Sequence, residues 1–123
     1  MNKKKIAIID DEIQILNSIE KYLSRRKQFD ITTYENANDA LQPILNNEFD
    51  LILLDIMMPQ INGMDILKII KEKHIHTKVI MMTAYSTLER AINSKEIGAN
   101  DYLTKPFVSL RDVENKVLDN INA

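Results

Sequence analysis

Apolar residues along this chain fall into two alternating patterns. Continuous apolar runs of strand length occur at Ile6–Ile9, Leu51–Leu54 and Val79–Met82. They lack the every-other-residue alternation of a sheet with one wet face, so these strands should be covered on both sides. Between them, Ile13, Leu16, Ile19 and Leu23, and later Met64, Leu67 and Ile70, recur at helical spacing. The pattern predicts strand Lys5–Ile9, helix Ile13–Arg26, strand Asp30–Tyr34, helix Ala37–Asn46 and strand Leu51–Leu54. It continues with helix Met64–Lys73, strand Lys78–Met82, helix Leu88–Ile97, strand Asp101–Leu103 and helix Leu110–Ile121. Pro43 removes a hydrogen bond from the second helix and crowds the carbonyl of Asp39, which predicts a kink or a shortened helix.

Five consecutive βα units imply an α/β domain, with a five-stranded parallel sheet, right-handed crossovers and helices on both faces. The 123 residues suit one domain spanning 1–123, with no Pro-, Gly- or Ser-rich linker and no repeat. The first apolar run stops at Asp10, too short for a signal-peptide core or a membrane span, so a cytoplasmic protein without membrane contact is expected. Sixteen basic and eighteen acidic residues give a net charge of −2, which argues against a dedicated nucleic-acid or membrane surface. Lys3–Lys5 reads as a solvated terminus ahead of a strand. The absence of cysteine excludes disulfides, thiolate metal sites and a cysteine nucleophile.

In a parallel sheet all strand C-termini share one edge, and ligands bind there near the point where strand order reverses. Asp10 and Asp11 follow the first strand, Asp55 ends the third, Thr83 ends the fourth and Lys105 follows the fifth. Taken singly each has an ordinary reading: Asp10, Asp11 or Thr83 as a helix cap, Asp55 as a loop carboxylate, Lys105-Pro106 as a turn. Their joint placement on one edge is what those readings leave unexplained.

In a flavodoxin-like strand order of 2-1-3-4-5, with strands about 4.8 Å apart, the acids of the first strand adjoin Asp55. Two such charges about 5 Å apart repel by roughly 3 kcal/mol at an effective dielectric near 20, so a cation is expected. Oxygen-only ligands suit Mg²⁺. Lys105, two strands away, spans roughly 10 Å to reach phosphate or Asp55. Thr83 offers a hydroxyl, and Ala84 leaves room for a phosphoryl group. Nucleophile, metal acids, hydroxyl and cation together make a phosphoryl-transfer site. His74 and His76, two residues apart, do not share a helix face and read as loop residues, and the methionines read as packing.

The stretches Ile6–Glu12, Asp55–Gly63, Met82–Tyr85 and Tyr102–Phe107 resemble, in order and spacing, the receiver domains of two-component response regulators, the CheY-like family. The resemblance covers essentially the whole chain. It implies that Asp55 takes a phosphoryl group from a phosphohistidine of a sensor histidine kinase or phosphotransfer protein, or from a small phosphodonor. It further implies that Asp11, Asp55 and the Met57 carbonyl hold Mg²⁺, with Asp10 acting largely through water, while Thr83 and Lys105 hold phosphate oxygens. Catalysis would be limited to the protein's own phosphorylation and dephosphorylation.

By the same resemblance Thr83 moves toward the phosphate and Tyr102 turns inward, altering the face formed by the fourth helix, fifth strand and fifth helix. That face would meet a downstream effector or output domain, or a second phosphorylated copy, without direct nucleic-acid binding. Lys105-Pro106 would be cis, and Met57 and Tyr85 would flank the acyl phosphate and slow its hydrolysis. Whether the chain acts alone or is cut from a longer regulator stays open; the stretches Met82–Tyr85 and Gly98–Phe107 resemble relay proteins and enhancer-type activators more than winged-helix regulators. Two other classes fit less well. A phosphohydrolase of the haloacid dehalogenase type places a second Asp where Met57 stands, and the acids at 10–12 would repel the phosphate of FMN.

Overall fold

A computed structural model describes residues 3–84, 96 and 98–122. Tyr85 and nearly all of the predicted helix Leu88–Ile97 lie outside these. The described elements are β1 (Lys4–Ile9), α1 (Ile13–Leu23), β2 (Phe29–Tyr34), α2 (Ala37–Leu45), β3 (Leu51–Asp55), α3 (Gly63–Glu72), β4 (Lys78–Ala84), β5 (Asp101–Lys105) and α4 (Leu110–Ile121). The five strands form one parallel sheet in the order β2-β1-β3-β4-β5.

Continuous burial of Ile6–Ile9 in β1 and of all of β3 follows from their central places, since both sheet faces are covered. Alternate residues feed two cores. Ala7, Ile9, Ile52, Leu54, Val79 and Met81 pack with α2 and α3 on one face. Ile6, Ile8, Leu51, Leu53, Ile80 and Met82 pack with α1 and α4 on the other. A one-residue slip of any central strand would exchange the two sets, so register is strongly specified.

Helix ends are set by local chemistry. The side chains of Asn36, Asn62 and Ser109 accept backbone N–H groups of Asn38, Met64 and Asp112, which starts α2, α3 and α4. Asn47 and His74 adopt positive φ, and the N–H groups of Glu48 and Ile75 bond back to Pro43 and Ile70, closing α2 and α3 with Schellman turns. α2 runs through Pro43 and stops at Leu45, one residue short of the expected Asn46. α1 stops at Leu23, not Arg26, because the chain must turn for Phe29 to enter the core; Arg25 and Arg26 leave the helix to bind buried Glu114.

β3, β4 and β5 extend past their apolar runs to Asp55, Ala84 and Lys105. Pairing continues there through Asp55 with Met82 and Ala84 with Lys105, since ladder hydrogen bonds do not require apolar side chains. Among the described residues no helix is long and apolar enough to cross a membrane.

Candidate functional site

β1 and β3 are neighbours, and Ile9 pairs with Leu54, so the residues that follow, Asp10 and Asp55, emerge side by side at the strand C-termini. Oxygens of Asp10, Asp11 and Asp55 lie within 4.8 Å of one another. Asp10 is fully buried and Asp55 is 5% exposed, while Asp11 is the most open of the three. Asp10 does not cap α1 directly: its Oδ1 accepts the N–H of Glu12 at 2.9 Å, fixing the turn that precedes the helix.

Lys105 ends β5 and reaches across β4 into this cluster. Its Nζ stands 2.6 Å from Asp10 Oδ2 and 3.4 Å from both Asp55 Oδ2 and Glu12 Oε1. The expected meeting of Lys105 with Asp55 is therefore present, but the shorter contact is with Asp10. The Lys105-Pro106 peptide is cis. Thr83 is buried one strand from Asp55 and donates its hydroxyl to the Ala84 carbonyl at 3.2 Å. The Met57 N–H donates to Asp55 Oδ1 at 3.4 Å, and the Met57 side chain is half exposed.

Burial, and then the charge of Asp10, push the Asp55 carboxyl up to about 7 against the pull of Lys105 and the Met57 N–H. Burial also pushes Asp10 up, although Lys105 and the Glu12 N–H favour its ionised form. Burial disfavours the Lys105 ammonium as well, yet the hydrogen bond and charge of Asp10, with the charges of Asp55 and Glu12, hold it above the usual lysine range. The described protein groups thus leave the pocket short of positive charge. An all-oxygen donor set with one open carboxylate and a single lysine fits a hard divalent cation that keeps some of its water.

Two participants lie at the ends of the stretches Ile6–Glu12 and Asp55–Gly63 but were assigned no role in the site from sequence. Glu12, beside the Asp pair, reaches Lys105 only because the chain turns at Asp10. Gly63 opens α3 against the back of the site: a Cβ there would overlap the Asp55 carbonyl oxygen and crowd Ile56 Cα, while its N–H bonds Ile56 O at 2.9 Å. In the sequence it closes the stretch Asp55–Gly63, whose spacing gave no sign of this close approach. His74 and His76 are exposed and far from the cluster in sequence and role.

A family model described as the response regulator receiver domain matches residues 6–117. The chain is 39% identical over 107 residues to the DNA-binding transcriptional regulator NtrC of Proteus hauseri, a match covering 87% of this chain and 22% of that protein. It is 42% identical over 117 residues to the nisin biosynthesis regulatory protein NisR of Lactococcus lactis subsp. lactis, covering 95% and 50% respectively. In structure it is similar to a CheY-like response regulator receiver domain protein of Methanospirillum hungatei, with a TM-score of 0.88, 31% identity and coverage of 98% and 95%. The chain therefore spans between 22% and 50% of the length of these two curated relatives.

Proposed function

This chain belongs to the response regulator receiver domain family of two-component systems, and from that membership we propose that it accepts a phosphoryl group on Asp55 and relays it as a change of shape. The observation that carries the reading is the convergence on one sheet edge of three carboxylates within 4.8 Å and a lysine bridging Asp10 and Asp55. Neither rival chemistry has its required groups: Met57 stands where a phosphohydrolase needs a second acid, and the carboxylates at 10–12 repel a resident phosphate.

A carboxylate oxygen of Asp55 forms the new O–P bond as the donor's N–P bond breaks, leaving the electron pair on the departing imidazole, which takes a proton from water. The donor in that step is a phosphohistidine of a sensor kinase or phosphotransfer protein; with a small phosphodonor the bond broken is the one from phosphorus to its own leaving group, which departs with the electron pair. Asp11, Asp55 and the Met57 carbonyl would hold Mg²⁺, with Asp10 acting through water. The bound ion supplies positive charge for the phosphoryl oxygens and for ionised Asp55. Lys105 pairs with a phosphoryl oxygen, Thr83 donates its hydroxyl to another, and Ala84 leaves the approach open. The chain turns over only its own acyl phosphate.

Thr83 then moves toward the phosphate, and Tyr102 turns inward on the same sheet face. The altered surface of β5, α4 and the segment before β5 contacts an effector, an output domain or a second copy. A small phosphodonor with Mg²⁺ should add one phosphoryl group by intact mass, and Asp55→Asn should abolish it. Equal labelling of that variant, or none of the parent, would overturn the assignment.

A further inference from the structure

Tyr102 on the edge strand β5 pairs with Met81, while Thr83 lies two residues further along β4. Side chains alternate faces along a strand, so Tyr102, Met81 and Thr83 share one face, with the Tyr102 ring partly buried against the core that contains Met81. The outer side of that ring is guarded by a small charged network. Asp101 Oδ1 accepts both the Tyr102 backbone N–H at 2.9 Å and Lys116 Nζ at 3.1 Å. Asn120 Nδ2 donates to Asp101 Oδ2 at 3.3 Å and to the Lys116 carbonyl at 2.8 Å. Held this way, Lys116 Nζ stands 5.9 Å from the centroid of the Tyr102 ring, within cation–π range. Burial works against the Asp101 charge, but the Tyr102 N–H, Lys116 and Asn120 outweigh it and keep this carboxyl below its usual range. The anchor is therefore permanently charged near neutrality.

We propose that Lys116, fixed by Asp101 and Asn120, is a positioning residue that holds the Tyr102 ring in its half-exposed place and opposes its inward turn. The inference rests on the receiver reading above and adds to it the groups that set the resting balance. An inward ring leaves the ammonium behind while Asp101 keeps Lys116 where it is, so the contact exists in one state only. A contact present in one state alone shifts the equilibrium between them. A half-exposed contact of this type biases it roughly two- to fivefold. By linkage, removing it should tighten binding of an acyl-phosphate mimic at Asp55 by up to the same factor.

The test uses the full chain with 3-fluorotyrosine, Mg²⁺ and beryllofluoride as the mimic. Tyr102 is assigned in the ¹⁹F spectrum through Tyr102→Phe. Lys116→Met, which keeps the aliphatic stem, should move the free protein's Tyr102 signal toward its beryllofluoride-bound position and tighten apparent binding two- to fivefold. Asp101→Asn should act in the same direction, and Lys116→Arg should restore the parent's values. Unchanged or weakened binding in Lys116→Met with an unmoved Tyr102 signal would overturn the inference while leaving the receiver reading intact. Failure of the parent to bind beryllofluoride would overturn both.

Discussion

Replacing Asp55 with asparagine should stabilise the protein when Mg²⁺ is chelated. Asp55 has a native pKa raised from 3.8 to about 7, chiefly by burial and then by Asp10. Below pH 3.8 the native and unfolded states are both protonated, and the group costs nothing. Between the two values the unfolded chain releases its proton first, so native stability falls as pH rises, and the loss is complete above about pH 7. A displacement of this size corresponds to about 4 kcal/mol when the carboxyl is fully ionised. The pull of Lys105 is already contained in that displacement; the buried asparagine amide keeps part of the desolvation cost, leaving a net gain of roughly 2–3 kcal/mol at pH 8. For a domain of this length that is a rise in Tm of roughly 8–12 °C.

Thermal melts of parent and variant in EDTA, at steps from pH 5.5 to 8.5, read this directly. The gap in Tm should widen from pH 5.5 until the native carboxyl has ionised, a little above pH 7, and then level off. Millimolar Mg²⁺ should then raise the parent and shrink the gap, since each tenfold excess of ion over its Kd adds about 1.4 kcal/mol to the state that binds it. A gap independent of pH, or a variant that melts below the parent at pH 8 in EDTA, would refute the claim that Asp55 ionises against its surroundings.

Gly63→Ala should cost about 2–4 kcal/mol, since the added methyl overlaps the Asp55 carbonyl oxygen and the neighbouring backbone cannot yield without moving the nucleophile. Urea titration measures the loss, and a cost below about 0.5 kcal/mol would show that α3 can shift freely. Met57→Asn combined with Tyr85→Glu should speed loss of the phosphoryl group several-fold while leaving labelling intact: if these positions flank the acyl phosphate as the resemblance to receiver domains implies, polar groups there can orient water that a thioether cannot. An unchanged phosphoryl half-life at matched Mg²⁺ would remove these two positions from control of hydrolysis.

The order of elements was legible because burial has a period, and period is written locally. The unbroken runs Ile6–Ile9 and Leu51–Leu54 required a sheet covered on both faces, and the polar residue ending each run marked the edge where a site would form. The convergence of Asp10, Asp11, Asp55 and Lys105 on that edge could be read the same way. Strand ends did not follow, since Asp55, Thr83 and Lys105 remain paired in the sheet although their side chains are polar. Partner choice was decided only by the tertiary structure. Lys105 was expected at Asp55, but the crossing of β4 and the Asp10 turn bring Asp10 closer, at 2.6 Å against 3.4 Å. Glu114 is buried against Arg25 and Arg26, 89 and 88 residues away, and nothing local to α4 announces that pairing. Gly63 is required by the backbone of a strand it does not adjoin in sequence. Local pattern fixes which face of an element is apolar, whereas contacts between ends of different strands depend on strand order and on distances closed by folding, which no window of sequence contains.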